Sequence, residues 1–142
     1  MTLFDELKAL YRNLRLVHYR DMFGRISEKE GSLSATEAFA VDVVYLLKNP
    51  TVSELSQALG VSQPNATYKV NNLSAKGYVS RLPSENDKRE CHITVSDKFH
   101  KYYDADCRFL EEALQRVQGR FTEQELASFQ KVLSALNEEI PK

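Results

Sequence analysis

Cysteine is scarce in this chain. Cys91 and Cys107 are too few for a disulfide scaffold, and a reducing cytosol is the simplest compartment for them. Tryptophan is absent, glycine and proline number only 5 and 4, and there is neither an internal repeat nor a low-complexity tract. No apolar run approaches the roughly 18 residues that span a bilayer. The first ten residues, MTLFDELKAL, carry early acids and no apolar h-region, so no signal peptide is expected and the expected location is cytoplasmic. Also lacking are a Gly-rich phosphate loop, paired carboxylates in a plausible pocket, and any Ser/His/Asp or Cys/His set in catalytic order. An enzyme is therefore not expected, nor is a cofactor. His18, His92 and His100 do not fall at metal-ligand spacing from cysteines or acids, and the His100–Asp104 pair at i, i+4 is a weak signal alone.

What is present suits one globular domain. The 142 residues (16.3 kDa) are 42% hydrophobic and 27% charged, enough for a real core. The net charge of −1 and pI of 6.3 argue against a generally basic, sticky protein. The charge is uneven, however. Between Val61 and Ser84 there is no acid, while Lys69, Lys76 and Arg81 give a local +3; the closing TEQELASFQKVLSALNEEI leans acidic. A polyanion would find the middle of the chain and avoid its end. Over so short a stretch, a chance gap in acids is the alternative.

Apolar periodicity then places the elements. Leu3, Leu7, Leu10, Leu14 and Val17 recur at helical spacing, flanked by Phe4, Tyr11 and His18, until EKEGS breaks the pattern. Ser34-Ala-Thr-Glu37 reads as a capping box opening a helix that carries Phe39, Val43, Leu46 and Leu47 inward and stops before Pro50. Thr51-Val-Ser-Glu54 is a second box, for a short helix with Val52, Leu55, Ala58 and Leu59 inside and Gly60 closing it. Ser62 caps the next helix, with Pro64 in its first turn and Ala66, Val70 and Leu73 as a thin inner stripe ending near Gly77. The period then drops to two. YVSRL and CHITV alternate on either side of the polar PSENDKRE, which reads as a β-hairpin. Ser96 can cap a long helix carrying Phe99, Tyr103, Leu110, Leu114 and Val117. Thr122-Glu-Gln-Glu125 is a third box, for a helix carrying Leu126, Phe129, Leu133, Leu136 and Ile140.

Two short helices joined by Leu59-Gly-Val-Ser62 outline a helix-turn-helix, although any αα-corner looks alike. The hairpin that follows directly, with a cationic tip, strengthens it: helix, turn, helix and wing is the layout of a winged DNA-binding module. The second helix enters the major groove by its N-terminal turns. That accounts for the polar and aromatic groups of SQPNATYK, whose partners are expected to be base edges and phosphates rather than a core.

TVSELSQALGVSQPNATYKVNNLSAKGYVSRLPSENDKRECHITVSDKF resembles the multiple antibiotic resistance regulator (MarR) family. The matches are Leu73 with Lys76-Gly77-Tyr78-Val79 and Arg81, then Asp87-Lys88-Arg89 at the wing tip, then Ile93-Thr94. The resemblance implies a mainly α fold with a small β-hairpin wing, the winged helix-turn-helix being flanked by N- and C-terminal dimerisation helices. It divides the chain into an N-terminal dimerisation helix (1–30), a DNA-binding region (31–96) and C-terminal dimerisation helices (97–142). A homodimer on a pseudo-palindromic operator is implied, acting as a ligand-responsive repressor. The apolar terminal helices agree, since Tyr11, Phe109, Phe121 and Phe129 are large to leave wet, though an intramolecular core is the alternative for each.

The DNA contacts implied are Ser62, Gln63, Pro64, Asn65, Thr67, Tyr68, Lys69 and Asn72 on the recognition helix, with Lys88 and Arg89 on the wing. Gln and Asn can pair with adenine, Lys with guanine or phosphate. Arg89 suits a narrow minor groove, and Asp87 matches the acid that holds it; an incidental ion pair is the alternative. Many relatives carry Arg where Tyr68 or Asn72 stands here, a departure that bears on base preference. The family often holds a small aromatic acid, and the candidates to meet such an anionic effector are Arg81, His18 and Tyr19. For Arg81 a phosphate contact or a helix-end salt bridge is the alternative. Two other functions compete: a cysteine-based redox regulator, although the cysteine through which some family members sense peroxides lies near the N-terminal helix and this chain has none there, and a winged-helix protein-interaction module without DNA binding.

Overall fold

A computed structural model describes residues 1–26, 32–83, 90–102 and 107–141. They form seven helices and a two-stranded hairpin: α1 (Leu3–Arg25), α2 (Ala35–Leu47), α3 (Val52–Leu59), α4 (Gln63–Ala75), β1 (Val79–Pro83), β2 (Cys91–Val95), α5 (Asp97–Tyr102), α6 (Arg108–Gln118) and α7 (Glu123–Glu139). The chain falls into two compact units, Met1–Ala105 and Asp106–Lys142. No helix among the described residues is long and apolar enough to cross a membrane.

In the first unit, α1 starts on a capping box that Thr2 forms with Asp5, each satisfying the other's backbone N–H at 3.1 Å. Its Met22 reaches the core, while Leu3, Phe4, Leu10, Tyr11 and Phe23 stay exposed. The core is built where α2, α3, α4 and the hairpin meet: Val41 and Val44, Leu55, Val70 and Leu73, Val79, Ile93 and Phe99 are all at most 3% exposed. These are the positions from which water is most fully removed, and they carry most of the hydrophobic stabilisation.

Helix α2 corrects the expected inner face. Ala38, Ala40, Val41 and Val44 are buried, whereas Phe39, Leu46 and Leu47 point out and Val43 is half-buried. The helix AFAVDVVYLL is apolar almost all round, so its composition does not determine which side faces inward. Its cap is also one-sided. Ser34 Oγ accepts from the Glu37 N–H at 3.3 Å, but the Glu37 carboxylate does not return to the Ser34 backbone. It accepts instead from the Ser34 hydroxyl and from Lys76.

The next two helices follow the sequence closely. Thr51 and Glu54 make the reciprocal box of α3, and Gly60 closes that helix at φ +68°, a left-handed conformation that glycine adopts at little cost. Ala58, expected inside, is exposed. Ser62 caps α4 by accepting from the Asn65 N–H at 3.3 Å, and Gly77 beyond its end lies at φ +83°.

β1 and β2 pair antiparallel, in a register running from Val79 opposite Val95 to Pro83 opposite Cys91. The hairpin root is tied to the α2–α3 turn: the Ile93 N–H donates to the Pro50 carbonyl at 2.8 Å, and His92 Nδ1 lies 2.8 Å from the Asn49 carbonyl. Lys48 and Asn49 in that turn both adopt positive φ, at 56° and 60°.

The single long helix expected from Ser96 is not continuous. Cys107 has φ +54°, outside the helical range, and α6 starts only after it. Ser96 does not cap α5 with its side chain either; its hydroxyl donates to the Gly77 carbonyl. Tyr103 and Asp104 lie outside the described residues. In the second unit, Thr122 and Glu125 form the predicted reciprocal box of α7. Neither α6 nor α7 contains a buried residue: Phe109, Leu110, Leu114, Phe129, Val132 and Leu133 are all exposed within the single chain, as is Ile140 just past α7.

Candidate nucleic-acid interface

The two sides of α4 do different things. Ala66, Val70 and Leu73 are fully buried and suffice to seat the helix on the core. On the opposite side Gln63, Pro64, Asn65 and Tyr68 are exposed, Tyr68 at 65%, and Thr67, Lys69 and Asn72 are half-buried. Ser62 is exposed and heads the helix. The first turn holds no acid, so its unpaired N–H groups and the positive end of the helix dipole face outward unopposed. Polar side chains with both donors and acceptors, beside a helix N-terminus that favours anions, make a surface suited to phosphates and base edges.

The expected local +3 is modified by what the cations touch. Lys76 Nζ sits 2.9 Å from Glu37 Oε2 and 3.1 Å from Oε1, and donates to the Ser32 carbonyl at 2.7 Å, so its charge is neutralised inside the fold. Burial pushes the Glu37 carboxyl up, but hydrogen bonds from Lys76 and Ser34 together with the Lys76 charge outweigh it, and the group is held below its ordinary value. Glu37 Oε2 is buried and meets the ammonium by proximity rather than by an aligned hydrogen bond. Arg81, on β1, donates from Nη2 to Asn71 Oδ1 at 2.6 Å, which ties the wing's first strand to the recognition helix. Lys69 is left as the cation of this stretch on the outward side of α4.

The wing residues Asp87, Lys88 and Arg89 lie outside the described residues. His18 and Tyr19 on α1 stack with ring centroids 5.7 Å apart, and His18 Nε2 lies 3.8 Å from Oδ2 of the buried Asp42. Arg81 is engaged separately, with Asn71, so the three effector candidates are not drawn into one shared contact. Cys91 on β2 is half-buried and Cys107 is exposed. Sequence reasoning missed Asn71, Glu37 and Lys98 as partners of this region. Their signal is long-range, across 10 to 39 positions, and no local periodicity carries it.

Residues 32–90, the stretch from the start of α2 to the foot of β2, match the model of the MarR family. A 50-residue segment is 42% identical to the transcriptional repressor MprA of Escherichia coli K12; it makes up 35% of this chain and spans 28% of that repressor's length. Among solved structures, Streptococcus pneumoniae FabT in complex with DNA superposes with a TM-score of 0.60 at 26% identity, covering 96% of this chain and 93% of FabT. A MepR mutant from an S. aureus clinical isolate superposes at 0.63 with 15% identity, over 99% of both chains, a likeness of fold. The mainly α fold with a two-stranded wing is thus shared with these solved structures over nearly the whole chain.

Proposed function

We propose that the chain is a sequence-specific DNA-binding transcriptional regulator that represses as a homodimer on a pseudo-palindromic operator. One observation carries the reading: α4 buries only Ala66, Val70 and Leu73 and presents Gln63, Asn65, Tyr68 and Lys69 on an acid-free face behind a capped N-terminus. The repressor named among its relatives and the DNA bound to FabT support it. In this reading Gln63 and Asn65 meet base edges, Ser62, Thr67, Lys69 and Asn72 position the helix on phosphates, and Tyr68 reaches a phosphate or a thymine methyl. Pro64 stiffens the entering turn. Lys88 and Arg89, oriented by Asp87, extend the contact into the minor groove. The exposed apolar faces of α1, α6 and α7 support a two-fold partner made of a second copy.

A small aromatic or anionic effector completes the proposal, with His18 and Tyr19 as its candidates. Arg81 is then assigned to steadying α4 through Asn71. Selection of duplexes from a randomised library by the purified chain, followed by titration at several salt concentrations, tests the function. A recovered inverted repeat whose log affinity falls linearly with log salt is the expected result. A protein-interaction module would recover no sequence.

A further inference from the structure

Lys76, the C-cap of α4, is gripped from two directions. Its ammonium reaches back across the fold to the start of α2, where the Ser32 carbonyl and both Glu37 carboxylate oxygens receive it within 3.1 Å. Ser32 adjoins Leu33, which is 5% exposed and bridges Ile26 at the end of α1. At the same time the Lys76 carbonyl, one of the otherwise unpaired groups at a helix C-terminus, accepts from Lys98 Nζ of α5 at 2.8 Å. Lys98 is itself held with its ammonium 4.6 Å from the Tyr78 ring centroid, and the neighbouring Gly77 carbonyl accepts from Ser96. The end of α4 is therefore fixed by polar ties to the start of α2 and to the helix following the wing.

We infer that Lys76 is a positioning residue at which the start of α2 and α5 jointly set the aim of the recognition helix. It does not touch DNA; it sets the direction in which Gln63 and Asn65, a dozen residues earlier on the same rigid helix, project. A helix seated by only three small or medium apolar side chains can rock on its stripe. Directional, charge-assisted ties at its far end restrict that motion. The inference rests on the DNA-binding reading and deepens it: a movement of the start of α2 or of α5 would be felt at α4 through Lys76, which gives an effector or a partner copy a physical handle on operator affinity.

The test uses the full chain and the duplex that the wild type selects from a randomised library, together with versions whose half-sites are moved one base pair closer or farther. The main variant is the double Glu37→Gln/Lys76→Met. It removes one charge of each sign, leaves net charge unchanged and strands no buried carboxylate, as Lys76→Met alone would. Lys98→Met, which loses the tie to the carbonyl and the contact with the Tyr78 ring but keeps the Lys76–Glu37 pair, is the second variant and covers the case in which the double one does not fold. Wild type should lose roughly tenfold in affinity when the spacing changes. The double variant should bind the selected duplex roughly tenfold more weakly yet discriminate spacing by less than about threefold, with Lys98→Met shifted in the same direction by less. A role limited to stability would lower the melting temperature and leave the spacing preference intact. If the folded variants keep the wild-type preference, the positioning role is wrong while DNA binding stands. A wild type that selects no duplex at all removes both.

Discussion

Helices α4 and α7 begin alike, on a Ser or Thr cap, and then diverge in what they leave uncovered. α4 exposes Gln63, Asn65 and Tyr68 and buries an apolar stripe of three residues completely; α7 exposes Phe129, Val132 and Leu133 and buries nothing. The first is a finished packing problem with a polar surface to spare. The second is an unfinished one, since an amphipathic helix draws most of its stability from covering its apolar face. One chain thus presents two unmatched surfaces of opposite character. The polar one is read as facing DNA and the apolar one as facing a second copy.

The largest expected effects break the comparison on the side of stability. Leu73→Ala removes a fully buried side chain under α4 and should cost about 2–5 kcal/mol in chemical unfolding, independent of protein concentration. Leu133→Asp on α7 should act differently, by weakening self-association about 30-fold or more, the scale of an interface hot spot, so that light scattering shows monomer at micromolar protein. If wild type itself scatters as a 16.3 kDa particle at that concentration, the apolar face of α7 has no second copy on it.

Much of this contrast is legible in the sequence, and the part that is not has a physical cause. Thr51 with Glu54, Thr122 with Glu125, Ser62, Gly60 and the alternating hairpin strands are all local signals, and each is found in place. The inner face of α2 is not legible, because nearly every residue from Phe39 to Leu47 is apolar except Asp42, and that acid is buried beside His18. Glu37 has the spacing of a local capping partner, yet a lysine 39 positions away takes its carboxylate. Tertiary ties of this kind leave no periodicity behind. On α4 the opposite holds: Ala66, Val70 and Leu73 form so thin an inner stripe that the spacing alone marks the remaining positions as available for contact.

A smaller effect concerns acid. The Glu37 carboxyl is held below its ordinary 4.5, so the stability it contributes is fully present above that pH and is lost as pH falls through the lower folded value. Between about pH 5 and about pH 3, Glu37→Gln should therefore show a shallower loss of urea midpoint than wild type. Parallel slopes would mean that the Lys76 pair does not contribute to acid sensitivity. Smallest of all, replacing Cys91 and Cys107 by Ser should change DNA affinity by no more than about two- to threefold, with or without peroxide, since neither side chain is fully buried. Peroxide-driven release that disappears in the cysteine-free protein would instead favour redox sensing.

The central claim is that the outward face of α4 reads base sequence while the wing adds contact that is indifferent to it. The measurement that meets it most directly is titration of Gln63→Ala, Asn65→Ala and Arg89→Ala against the selected duplex and a scrambled one at several salt concentrations. Each α4 variant should lose about 1–3 kcal/mol on the selected duplex, at particular base pairs, and little on the scrambled one. Arg89→Ala should weaken both alike and reduce the salt slope by about one phosphate per subunit. Equal losses on both duplexes for Gln63→Ala and Asn65→Ala would contradict the account, because α4 would then be holding DNA without reading it.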